Sequence, residues 1–280
     1  DALTTGSFNV AIGAFSLSVE DTGNKSIAIG YAALENQNND DDNYNVAVGH
    51  NAGKMISTGT QNVIVGGLAG DALTTGSANV AIGYQALSSE DGHGRNVAIG
   101  KSALLNQNAG DEAYNVAVGY HSGLSVTTGF QNTFIGGLAG DALTTGAQNV
   151  AIGYLALTAA NGNENYNVAV GTGSLMNLDG SGDMWNTAVG TNSGLSLTTG
   201  TLNVLIGGRA GDALTTGSNN VAVGFDALGA EDGHGGNVAV GYRALKVQNA
   251  GATAYNVAIG RDAGLSVSTG TLNTLIGAFA

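Results

Sequence analysis

The sequence predicts an all-β chain folded as a parallel β-solenoid, and three observations carry that expectation. A pentapeptide of the form Asn-Val-Ala-Ile-Gly recurs sixteen times, starting at Asn9, Ser26, Asn45, Asn62, Asn79, Asn96, Asn115, Asn132, Asn149, Asn167, Asn186, Asn203, Asn220, Asn237, Asn256 and Asn273. Its spacing of 17 to 19 residues is too short for a domain; it suits one coil that buries its apolar side only by stacking on its neighbours. Finally, the fifth residue is Gly in all sixteen copies.

Within each pentapeptide the second and fourth residues are β-branched, as in Val10 and Ile12. Period-two β-branched residues over a short run indicate a strand with those side chains on one face. The Gly that follows ends the strand and suits a backbone conformation that side chains disfavour. Three residues further on comes Ala or Ser, from Ser16 and Ala33 to Ala280, which implies a tight corner or close packing between layers. Each coil thus reads as a strand, a turn, a second short segment and a variable loop. At the strand spacing of a sheet, sixteen coils would stack to roughly 75 Å.

A longer period lies above this one. Asp-Ala-Leu-Thr-Thr-Gly opens at Asp1, Asp71, Asp141 and Asp212, so four coils form a block of about 70 residues. The expected organisation is a single repeat solenoid over 1–280, with blocks 1–70, 71–140, 141–211 and 212–280, cut from a longer fibre. The four slots of a block differ. The first two carry Leu after the invariant small residue (Leu17, Leu34, Leu87, Leu104) and the last two mostly carry Gly (Gly53, Gly70, Gly123, Gly140). The loop before the third strand ends in an aromatic residue: Tyr44, Tyr114, Trp185 or Tyr255.

The Val/Ile pair is expected to build the coil interior, and the middle pentapeptide residue, which alternates away from it, to lie on the outer face. It is Ala in the first three slots and bulky in the fourth. An exposed apolar stripe would need a partner, which places an oligomer interface at Ala11, Ala28, Ala47, Ile64, Ala81, Ala98, Ala117, Phe134, Ala151, Leu205 and Leu275. A homotrimer around the long axis is the expected closed assembly.

Composition limits the function. A net charge of −13 with eight scattered Lys and Arg argues against binding nucleic acid or anionic lipid. No apolar run is long enough to insert in a membrane. The absence of Cys removes disulfides, thiolate metal sites and cysteine nucleophiles.

The pentapeptides, with small residues three past the Gly, resemble the head repeats of trimeric autotransporter adhesins. That resemblance implies left-handed parallel β-rolls assembled as trimers. The segments Gly83 to Leu87, Gly153 to Leu157 and Thr74 to Asn79 look closer still to repeats of bacteriophage tail fibres. The implied role is a structural and adhesive fibre, on a virion tail or a bacterial outer surface, attaching to a host-cell glycan or protein. The coils are longer than the usual adhesin-head coil, and no stalk or chaperone domain is present.

Asn at the strand entrance tolerates left-handed geometry, bonds local backbone and can stack along the solenoid, so a structural role is expected, with Ser26 a weaker rung. The acidic pairs Glu20-Asp21, Glu90-Asp91 and Glu231-Asp232, with Asp40 to Asp42, Asp111, Glu112, Asp179 and Asp183, could hold Ca²⁺. They do not recur through all blocks, so solvated loop charge is the expectation, with no cofactor. His93 and His234 occupy equivalent loops, but His50 and His121 are out of register, and no convergent metal ligands are guaranteed. Tyr44, Tyr114, Trp185 and Tyr255, with Tyr84, Tyr154 and Phe225, are candidate sugar-stacking residues. No nucleophile elbow or phosphate loop is present, so no enzyme is expected. Two alternative roles are an ice-binding solenoid, which the Thr pairs Thr4-Thr5, Thr74-Thr75 and Thr144-Thr145 suggest, and a tailspike-like polysaccharide depolymerase.

Overall fold

A computed structural model describes residues 2–280, and the chain divides into two compact units, 1–137 and 138–280. Each is a parallel β-solenoid of eight turns. The first holds β1 (Val10–Ile12), β2 (Ile27–Ile29), β3 (Val46–Val48), β4 (Val63–Val65), β5 (Val80–Ile82), β6 (Val97–Ile99), β7 (Val116–Val118) and β8 (Thr133–Ile135). The second holds β9 (Val150–Ile152), β10 (Val168–Val170), β11 (Thr187–Val189), β12 (Val204–Ile206), β13 (Val221–Val223), β14 (Val238–Val240), β15 (Val257–Ile259) and β16 (Thr274–Ile276). Within each unit consecutive strands pair in parallel and without slip: β5 meets β6 as Val80–Val97, Ala81–Ala98 and Ile82–Ile99. No helix among the described residues is long and apolar enough to cross a membrane.

Register follows from the two residues that bracket each strand. At the exit, the strand Gly adopts φ between +129° and +145° and lies almost in contact with the Gly of the next coil. A Cβ on Gly83 would sit 2.5 Å from the carbonyl oxygen of Gly100. At the entrance, buried Asn side chains form a ladder. Asn45 Oδ1 accepts the backbone N–H of Asn62 at 2.9 Å, and Asn62 Oδ1 accepts that of Asn79 at 3.0 Å. Many of these amides also donate to a loop carbonyl fourteen residues on, as Asn62 Nδ2 does to Gly76 at 2.9 Å, whereas Asn96 Nδ2 is buried without a partner. The ladder thus satisfies backbone donors that the short strands leave over. Ser26 takes the N–H of its own backbone to Asn9 Oδ1, but its hydroxyl pairs with Gln37 rather than continuing the ladder.

Left-handed corners are spread around the coil and are not at the Asn. In the coil of β5 they fall at Gln85 (φ 57°), Leu87 (φ 52°) and Arg95 (φ 63°), and equivalent residues repeat this in the other coils. Such corners cost about 1–3 kcal/mol each in isolation, and they persist because stacking requires them. Each turns its N–H along the stacking direction: Gln85 to Gly67, Leu87 to Ala103 and Arg95 to Ser77.

The interior corrects the expected oligomer face. Ala28, Ala47, Ile64, Ala81, Ala98, Ala117, Phe134, Ala151 and Leu205 are wholly buried inside their coils. Ala11 and Leu275 hold the same inward position in the first and last coils, where their side is open. The Val/Ile pair instead faces outward, half-buried by its neighbours along the ladder. A three-residue strand turns one side chain in and two out, and the narrow coil already holds the small residue three past the Gly and its successor, such as Ala86 and Leu87. Only Ala fits beside them.

This explains the four-coil period. Where the middle residue is bulky, the position four past the strand Gly is itself Gly. A Cβ on Gly70 would approach both Ile64 Cδ1 and Leu73 Cδ1 to 2.9 Å, and one on Gly211 would meet Leu205 and Leu214 at 2.8 Å. Where the middle residue is Ala, Leu can enter, as with Ala169 and the buried Leu175 and Leu178. The repeat conserves interior volume by exchange between positions.

Ile64→Ala should lower stability by about 2–5 kcal/mol through the cavity it leaves, and Gly70→Leu by about 1–3 kcal/mol through overpacking. The double variant reproduces the combination at Ala169 and Leu175, so it should unfold well above the temperature expected from the sum of the two losses. Thermal unfolding of all three checks this, and strict additivity would contradict volume exchange.

Candidate functional site

Tyr44, Tyr114, Trp185 and Tyr255 all occupy the left-handed corner immediately before a third-slot strand entrance, with φ between 52° and 55°. The corner turns each ring outward, leaving it 46 to 61% exposed. Neither unit brings its own pair together. Within the first unit Tyr44 and Tyr114 are four coils apart, or about 19 Å at sheet spacing. What each ring does meet is the same corner one coil earlier. Lys25 Nζ lies 4.9 Å from the centre of the Tyr44 ring, and it donates to Tyr44 Oη at 2.9 Å and to Asp42 at 2.6 Å. The Arg95 guanidinium lies 5.4 Å from the Tyr114 ring centre and donates to its hydroxyl. Tyr166 stacks on Trp185 with centres 4.0 Å apart and planes 3° apart, while the Tyr255 ring packs against the bare backbone of Gly236. These corner partners were missed in the sequence because Lys, Arg and Tyr carry no left-handed signal.

A second aromatic column follows the strand Gly at the exit. Tyr31, Tyr84, Tyr120, Tyr154, Phe225 and Tyr242 all lie one residue past it and are about half exposed. Tyr31 stacks on His50 at 5.2 Å, and Phe225 on Tyr242 at 5.9 Å. His121 stacks on Tyr120 at 3.8 Å. The two out-of-register histidines are thereby both placed against tyrosines. The outward Val/Ile face is bracketed by aromatic side chains at strand entry and exit.

The acidic residues separate into two sets. Asp40, Asp42, Glu112 and Asp183 lie on loops and pair with Thr22, Lys25, Arg95 and Asn165 respectively. Glu20, Glu90 and Glu231, expected as solvated loop charge, are wholly buried. The reason is positional: they lie seven past the strand Gly, where other coils carry the buried apolar residues Ile56, Leu73, Val126, Leu143, Leu197 and Leu214. Glu20 is fully engaged, accepting from the Gly23 N–H at 2.7 Å, Gln37 Nε2 at 2.9 Å and Asn43 Nδ2 at 3.3 Å. In the second and fourth blocks Ala113 and Ala254 replace Asn43, and Glu90 Oε2, Gln107 Nε2, Glu231 Oε2 and Gln248 Nε2 have no hydrogen-bond partner. In the third block the same interior is apolar, with Ala160, Leu178 and Met184 buried.

Burial pushes the Glu90 carboxyl above its ordinary range, against the lowering effect of the His93 N–H and ring. Glu164, buried in the loop of the third block, is likewise raised by desolvation, against the lowering effect of its own backbone N–H and that of Gly162. Among the described residues, the groups of three close donor side chains are Glu90, Asp91 and His93, and Glu231, Asp232 and His234.

No protein-family model matches the chain, and no curated protein or solved structure is significantly similar to it. Fold and repeat together define its class: a β-solenoid repeat protein.

A carboxyl whose folded pKa is raised holds its proton more tightly in the native state. Its favourable contribution is therefore present at low pH and is lost as pH rises from the ordinary carboxylate range through the raised value. Glu164→Gln should accordingly raise the melting temperature at pH 7 and leave it nearly unchanged at pH 4. A difference between variant and parent that is constant from pH 4 to pH 7 would contradict the assignment.

Proposed function

We propose that the chain is a non-enzymatic structural and adhesive fibre segment, a homotrimer that presents its aromatic columns to a glycan or protein on a host-cell surface. One observation carries the reading. Each coil turns two β-branched side chains outward, and stacking makes them a continuous apolar stripe in each unit. A stripe of that kind in an acidic, weakly charged chain calls for a partner, and a closed ring of identical copies hides one stripe per chain. Three copies, and the setting on a virion tail fibre or bacterial outer surface, come from the resemblance to adhesin-head and tail-fibre repeats. The interface then consists of the Val/Ile pairs, not of the middle residues that lie inside the coil.

Adhesion is supported by Trp185, which is about half exposed and whose ring lies stacked on the partly buried Tyr166 with centres 4.0 Å apart. Flat aromatic faces beside amides and carboxylates suit the apolar faces and hydroxyls of sugars. Ice binding is disfavoured because the Thr hydroxyls are used in stacking: Thr74 Oγ1 donates to Asp91 O at 2.8 Å, and Thr215 Oγ1 to Asp232 O at 2.7 Å.

Sedimentation equilibrium should give three copies. The double variant Val97→Asp, Ile99→Asp should sediment as a monomer with its β circular dichroism retained, whereas Ala98→Asp should unfold its coil. A monomeric parent chain overturns the assembly. On a glycan array, Trp185→Ala and Tyr166→Ala should each weaken binding about tenfold, the equivalent of roughly 1.4 kcal/mol; unchanged binding removes the sugar platform.

A further inference from the structure

The pentapeptide Glu-Asp-Gly-His-Gly occurs twice, at 90–94 and 231–235, at equivalent places in the second and fourth blocks. In both copies it folds in the same way. Glu90 Oε1 lies 3.3 Å from His93 Nδ1 and accepts the His93 backbone N–H at 3.2 Å. For Glu231 and His234 the two distances are both 3.1 Å. With Asp91 or Asp232 included, one donor atom from each of the three side chains lies within 4.8 Å of the other two. The loop is held to the preceding coil through its backbone, by Thr74 Oγ1 to Asp91 O and Thr75 Oγ1 to Gly92 O, with Thr215 and Thr216 repeating these bonds. The three side chains are thus left free to converge.

A second observation concerns charge. Glu90 and Glu231 are wholly buried, and their Oε2 atoms have no hydrogen-bond partner. In the first block the equivalent carboxylate is satisfied by Gln37 and Asn43. In the second and fourth blocks the Gln is retained as Gln107 and Gln248, while the Asn is lost. A buried carboxylate with unfilled valence calls for a cation. The retained amides, unpartnered at Nε2, are suited to orient a metal-bound carboxylate from behind.

We propose that Glu90, Asp91 and His93, and equally Glu231, Asp232 and His234, are two equivalent binding sites for a first-row divalent metal ion, with Zn²⁺ the best fit. One imidazole nitrogen and two carboxylates form a borderline nitrogen–oxygen donor set. Three protein donors from one loop leave a tetrahedral ion a fourth position for water. The hard, all-oxygen environment that calcium prefers is absent from a set containing Nδ1. The remaining blocks serve as internal controls. In the first, Gly23 replaces the His and its N–H takes the carboxylate oxygen; in the third, Ala160 replaces the Glu.

The test is calorimetric titration of the tag-free chain with ZnCl₂, paired with thermal unfolding and the visible spectrum of the Co²⁺ form. Two ions should bind per chain, with a rise in melting temperature. His93→Gln or His234→Gln should each reduce the stoichiometry to one and the double variant to zero, with circular dichroism unchanged because both rings are only partly buried. CaCl₂ should give no heat. Absence of Zn²⁺ binding overturns the proposal. So does a stoichiometry of two that survives the double variant, or one that falls on replacing His50 or His121 instead.

Discussion

The backbone of one coil rests directly on the backbone of the next, and the rest of the fold is arranged around that contact. Gly at the strand exit allows carbonyl and Cα to approach where a methyl group would collide with the next Gly carbonyl. Asn at the entrance converts the same approach into a ladder of side-chain to backbone bonds. Between these two points the strand has room for only three residues. The left-handed corners at Leu, Tyr and Arg are a consequence: each is unfavourable alone, yet it points an N–H at the neighbouring coil. Cooperativity between coils, which gives repeat proteins their stability, here includes stabilising backbone conformations that a single coil could not hold.

A narrow interior follows from such close stacking. It accepts one strand side chain, one small residue and two further positions, and its occupants trade volume with each other. Ile64 goes with Gly70, Phe134 with Gly123 of the coil before, and Ala169 with Leu175. Polarity is exchanged as well as volume. The site seven past the strand Gly holds Glu with Gln in three blocks and Ala with Leu in the third, so the pair changes together. One buried carboxylate is completed by Asn43, while Glu90 and Glu231 remain open at Oε2 beside a histidine. The proposed metal sites are thus products of the same packing rule that shapes the apolar coils.

The outer face is set by what the interior excludes. Because the interior admits a single strand side chain, Ala beside a Leu and a bulkier residue only where Gly makes room, the Val and Ile pairs are turned out, and the entry and exit corners add a ring beside them in many coils. An apolar stripe bordered by aromatic side chains is a surface for association. It suits the two tasks we propose for the chain, self-assembly along the stripe and adhesion at its margins.

The chain by itself determined the period, the strand positions, the parallel in-register stacking and the structural role of Asn, since all of these are local patterns repeated sixteen times. The aromatic residues at 44, 114, 185 and 255 were also legible, because they stand at one fixed offset from the motif. Alternation divided the strand residues into two sets, but it could not tell which set faces inward: that depends on how much space the remainder of the coil leaves, and Ala86 and Leu87 take it up. Nor could local pattern reveal that Glu20, Glu90 and Glu231 are interior, since an acidic Gly-rich stretch reads as a solvated loop until the coil closes over it. Only the tertiary structure decided inside from outside, because that distinction belongs to the closed cross-section and not to any segment within it.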